Sequence, residues 1–156
     1  MGALADDPAL HVLEARWSGR PEEAEPLALN LVRTGPTLRH RASPADVRRD
    51  LGRTTRAVQE YEHLLDQCGG TARGAVMWRH LGKTHFVDGD YGAAVQAFSA
   101  AHRLRVRDSA AAGLIVSSHA ALRRPQSLLD DQRRAGEGGC ADQRRAVFGG
   151  FSRKAP

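Results

Sequence analysis

One stretch, residues 77–104, constrains the chain more than any other: MWRHLGKTHFVDGDYGAAVQAFSAAHRL. Its apolar and small residues fall at helical spacing twice, on either side of Asp88-Gly89-Asp90. Trp78, Leu81, Gly82 and His85 share one helical face. Ala94, Ala97, Phe98 and Ala101 share another. Gly82 and Ala94 are small enough to let two helix backbones approach closely, with Trp78 and Phe98 filling the space around them. The stretch therefore predicts two helices joined by a short turn and packed on each other.

The residues also follow an order: Trp78, then Leu81-Gly82, then Ala94, then Phe98. This resembles the tetratricopeptide repeat (TPR), whose pattern is W-x2-L-G-x2-Y, then A-x3-F, then P. Gly89 and Tyr91 stand where that family places a glycine and an aromatic. Two positions depart from the pattern. His85 replaces the family's Tyr, and Val106 stands near the place of the closing Pro.

Two degenerate copies precede the clear one. SGRPEEA, LGRTTRA and DGDYGAA each hold a glycine with an alanine five residues later: Gly19/Ala24, Gly52/Ala57 and Gly89/Ala94. The glycines lie 33 and 37 residues apart, bracketing the TPR period. A glycine that ends one helix and an alanine packed in the next are what a repeated hairpin needs. Asp7-Pro8 starts a helix over 8–17, with Leu10, Leu13 and Trp17 on one face. A second helix runs over 21–32 and a third, started by Ser43-Pro44, over 44–51. A fourth follows over 55–67 and carries Ala57, Val58, Tyr61, Leu64 and Leu65. Beyond the clear repeat, a helix over 110–123 caps the last apolar face, and Pro125 ends it. The expected architecture is all-α: a TPR-like α-solenoid of about three antiparallel helix pairs plus a C-terminal capping helix. It occupies 1–124, with a weak helix or linker over 125–134 and a disordered basic tail over 135–156.

Charge sharpens this division. The 156 residues carry a net +5, and residues 123–156 alone hold 8 Lys+Arg against 4 Asp+Glu. The high isoelectric point thus belongs largely to the tail. No apolar run is long enough to span a membrane. The first residues, MGALADDPAL, lack the form of a secretory signal. Cys68 and Cys140 stand far apart, without a CxxC, as expected of free thiols in the cytoplasm.

No catalytic or metal constellation emerges. His80 and His85 are five apart, wrong for two metal ligands on one helix face. Nucleophile-elbow, P-loop and dinucleotide motifs are absent. Ser117-Ser118-His119 has no acidic partner in view. The expectation is a non-catalytic protein-interaction module with no metal and no cofactor.

The resemblance implies that the first helix of each pair lines a concave groove for a partner's extended or helical segment. In the clear repeat, Arg79, Lys83 and Phe86 point away from the hairpin core and are the candidate groove residues. Two cations around an aromatic suit an acidic peptide with an apolar anchor. The alternative is a DNA-binding helix-turn-helix over 43–67. Thr55 would open its recognition helix, with Arg56 and Gln59 facing a major groove. Residues 39–56 hold six arginines against Asp46 and Asp50, which makes nucleic acid the second partner class.

Overall fold

The structure, a computed structural model, describes residues 7–148, with side chains described as far as residue 136. Among the described residues there are seven helices and no strand: α1 Pro8–Trp17, α2 Pro21–Thr34, α3 Leu38–Asp50, α4 Thr54–Cys68, α5 Ala72–Asp88, α6 Tyr91–Arg107 and α7 Ala112–Phe148. Each helix packs on the next in sequence, and contacts that skip one helix join α1 to α3 and α3 to α5. This is the pattern of an α-solenoid built from antiparallel pairs, with α1, α3 and α5 side by side on one surface.

The three repeat signatures read from sequence coincide with three structural events. Gly19, Gly52 and Gly89 adopt φ of 71°, 73° and 82°, the left-handed conformation that turns the chain between the helices of a pair. Ala24, Ala57 and Ala94 are fully buried in the helix that follows each turn. A Cβ at Gly89 would meet nothing within 4 Å, so its requirement for glycine is conformational. Gly89→Ala is therefore expected to cost about 1 kcal/mol of unfolding free energy, the strain of a left-handed alanine. Urea titration followed by circular dichroism checks this.

The interior divides between repeats. Ala9, Val12, Ala15, Ala24, Ala28, Leu31 and Val47 form one cluster. Ala42, Ala45, Ala57, Tyr61, Leu64, Leu65, Met77, Leu81 and Ala97 form the other, with Trp78 half-buried against it. In the clear repeat, Gly82, Ala94, Phe98 and Ala101 are buried, while His85 is half-buried. Gly82 lies directly under the Phe98 ring. A Cβ there would sit 2.9 Å from Phe98 Cδ1, which is why the position has no side chain.

Three local expectations change. The inward face of α1 is Ala9, Val12 and Ala15, and Trp17 is 80% exposed. Small residues face the neighbouring helices because they allow closer backbone approach than Leu10 and Trp17 would. Helix α3 starts at Leu38, well before Ser43-Pro44, and the Thr37 hydroxyl caps it by accepting from His40 N–H at 3.2 Å. Pro44 then lies inside it, buried. Pro125 likewise lies inside α7, fully buried, and does not end it. An interior proline costs about 3 kcal/mol, and packing along both flanks of α3 and along α6 for α7 outweighs that local term. The expected boundaries at residues 125 and 135 thus fall within α7. Of the basic tail, residues 149–156 lie outside the described residues.

Candidate functional site

Helices α1, α3 and α5 present a register that the sequence spacing alone does not announce. Residues four rows deep line a groove of about 850 Å³ across the three helices. Ala9, Arg39 and Arg73 form the outermost row. Val12, Ala42 and Val76 form the next, then Leu13, Ser43 and Met77. Arg16, Asp46 and His80 form the fourth. Within each helix the rows are spaced i, i+3, i+4 and i+7, one continuous stripe. Two largely apolar rows therefore lie between an edge that carries Arg39 and Arg73 and a polar row that crosses all three helices.

The polar row is bonded into a single unit. Asp46 Oδ1 accepts from Tyr61 Oη at 2.6 Å, Arg49 Nη1 at 2.8 Å and His80 Nδ1 at 2.9 Å. Asp46 Oδ2 accepts from Arg16 Nη1 at 3.4 Å, and Arg16 Nε donates to Asp50 at 2.7 Å. Burial alone would raise the Asp46 carboxyl pKa. The His80 hydrogen bond and charge, with the charges of Arg49 and Arg16, overcome this and hold it well below the usual carboxylate range. Burial, and then the Asp46 charge, push the Tyr61 phenol up, so it stays a donor. Helices α1, α3, α4 and α5 are thus fastened under the groove by one carboxylate.

The three sequence candidates sit in different places. Lys83 is exposed, one turn beyond His80 on the groove stripe. Burial and the charges of Arg79 and Arg49 lower its pKa, a sign that cations crowd this end of the stripe. Arg79 is half-buried, at the helix position where α1 and α3 carry the buried Ala15 and Ala45, and its Nε makes no hydrogen bond. Phe86 is half-buried, its ring centroid 5.6 Å from that of Tyr91. None of the three lines the 850 Å³ groove. The residues that do line it escaped sequence reasoning. Their one signal is the i, i+3, i+4, i+7 spacing repeated at offsets of 30 and 34 residues.

The helix-turn-helix alternative gains no support. Apart from Arg39, the arginines of residues 39–56 are committed to partners on other helices or within their own. Arg48 is buried and paired with Glu25 at 3.2 Å and with Glu60. Arg53 pairs with Glu25 at 2.6 Å, Arg49 with Asp46 and Asp50, and Arg56 with Glu60 at 3.9 Å. Arg41 donates to Gln67 at 2.6 Å. Glu25 and Glu60, brought in from the flanking helices, offset half of the local surplus of positive charge. Thr55, Arg56 and Gln59 are exposed on α4, but α3 is buried from Pro44 to Arg48 between its neighbours. Arg48 is an interior ion-pair residue, and the exposed Arg53 shares Glu25 with it.

Among the described residues, no group of three or more His, Cys, Asp or Glu is placed to hold a metal ion, and no helix is long and apolar enough to cross a membrane. Ser118 is buried, donating to Ile115 O at 2.8 Å, with His102 Nδ1 at 3.0 Å.

The solved structures with this architecture include PcrH from Pseudomonas aeruginosa, with a TM-score of 0.60 and 21% identity over 76% of this chain and 88% of that one. The fold is TPR-like. PcrH in complex with the chaperone binding region of PopD matches with the same TM-score at 19% identity, over 77% of this chain and 89% of that one. No family model matches the chain, and no curated protein matches it.

Proposed function

We propose that this chain is a non-catalytic, cytoplasmic interaction module that holds a segment of a partner protein in the groove across α1, α3 and α5. One observation carries the reading: a groove on a TPR-like scaffold, floored by the buried Val12, Ala42 and Met77, presents the half-buried Leu13 and Ser43 and the exposed Val76 at its surface. Val76 is 42% exposed there, an apolar side chain facing water. PcrH, which shares the fold, has been solved with a region of another protein bound, so the scaffold is one on which a partner segment is known to be held. The groove rows replace Arg79 and Phe86 as the contact surface, and Lys83 continues them.

Site-specific photocrosslinking tests this. A crosslinker at Val76 is expected to give a covalent adduct with a partner polypeptide. A crosslinker at Glu62, exposed on α4 away from the groove, is expected to give none. Adducts from Glu62 alone, or equally from both positions, would remove the groove from consideration.

A further inference from the structure

We infer that the segment this groove accepts is apolar along its centre and acidic along one side, read by Arg39 and Arg73. This rests on the groove being the partner site. The geometry is asymmetric. On the inner side of the apolar rows, Arg16, Asp46 and His80 already satisfy one another, and Asp46 offers no free charge. On the outer side, Arg39 and Arg73 are exposed. Among the described residues Arg39 reaches only Asp7, at 3.5 Å, with 65% of its own side chain exposed. Such a long, exposed pair contributes little and yields readily to a better-placed carboxylate. Arg73 has no ion-pair partner within reach among the described residues.

Both arginines are the second residue of their helices, α3 and α5. The positive ends of those two helix dipoles therefore lie along the same edge and reinforce the charge. Among the described residues, the only carboxylate lining the groove is the internally committed Asp46. A basic or neutral segment would leave Arg73 without a carboxylate and Arg39 with its long contact to Asp7 alone, whereas an acidic one gains charge-assisted, bidentate hydrogen bonds.

Spacing narrows the class further. Packed helices stand about 8–10 Å apart, so Arg39 and Arg73 sit roughly that far from each other along the groove. An extended chain covers this in about three residues. Side chains of an extended segment alternate between faces, so partner carboxylates about two to four residues apart, at an even spacing and beside an apolar anchor over Val76, would turn toward both cations.

A library of random dodecapeptides displayed on phage, panned against the full chain at low salt, tests the inference without a known partner. Enriched peptides are expected to combine apolar residues with an excess of Asp and Glu. Synthetic copies are expected to lose about tenfold or more in affinity for the Arg39→Glu/Arg73→Glu variant. Both substituted side chains are exposed, so circular dichroism should report unchanged helix content. Apolar peptides enriched without acidic excess, yet displaced by Val76→Glu, would keep the groove and overturn the charge reading. Acidic peptides indifferent to the arginine variant would also overturn it, marking the basic tail as the attractor. Enrichment indifferent to Val76→Glu, or no enrichment, would overturn groove and charge reading together.

Discussion

Asp46→Asn is expected to lower the unfolding free energy by about 3 kcal/mol at neutral pH. The carboxylate side chain is only 12% exposed, and the two arginines it joins are 11% and 10% exposed. Asparagine keeps the shape but removes the charge, leaving Arg16 and Arg49 close together in a poorly solvated place. Asp50 still accepts from both, at 2.7 and 3.1 Å, which keeps the cost toward the lower end for a broken buried pair. Asp50→Asn is the comparison. Its side chain is 30% exposed and its removal leaves Asp46 in place, so the expected loss is under about 1 kcal/mol. Equal losses for the two variants would show that Asp46 is no hub.

The pH dependence has a definite sign. A carboxyl whose folded pKa lies below its unfolded value of 3.8 contributes stability that is fully present above the unfolded value. That contribution is lost as pH falls through the range between the two. The wild type should therefore lose stability on acidification below about pH 5 more steeply than Asp46→Asn, by up to about 1.4 kcal/mol per pH unit. Above about pH 6 the Asp46 carboxyl is ionised in both the folded and the unfolded state and adds no further slope of its own. Parallel curves below about pH 5 would mean that the carboxyl titrates normally.

The two readings that sequence allowed for residues 39–67 differ in where the arginines point. One-dimensional charge counting finds a net positive stretch, and only the fold reveals that Glu25 and Glu60 come from flanking helices to meet it. The repeat was legible because its signals are local. A left-handed glycine followed at fixed distance by a buried alanine is a backbone requirement, and Gly19, Gly52 and Gly89 display it without reference to the rest of the chain. The groove was not legible, because an inner helix of a solenoid has three kinds of surface. One faces its hairpin mate, one faces the helices beside it, and only the remaining stripe faces the channel. Assigning Trp78, Leu81 and His85 to the first surface left Arg79 and Phe86 apparently free, though Arg79 belongs to the second. The helix boundaries failed for a related reason. Ser43-Pro44 and Pro125 carry genuine local start or stop signals, and packing overrides them in α3 and α7.

Phe98→Ala is expected to cost about 3–5 kcal/mol, the range for truncating a buried aromatic. Phe98 is 6% exposed and covers Gly82 between α5 and α6, so its loss opens a void at the closest approach of the clear repeat. Gly82→Ala alone should also destabilise, by about 1–2 kcal/mol. The new methyl meets the ring at 2.9–3.0 Å, and this overpacking exceeds the gain of about 1 kcal/mol that alanine brings to a helix interior. The two changes should not add. With the ring gone, the methyl introduced at position 82 has room, fills part of the void and keeps the helix propensity of alanine. The double variant is then expected to be more stable than Phe98→Ala alone by about 1 kcal/mol, a sign reversal for the same methyl group. Chemical denaturation of the four proteins in the cycle measures this. A Gly82→Ala effect of the same sign in both backgrounds would mean that something other than Phe98 excludes a side chain at position 82.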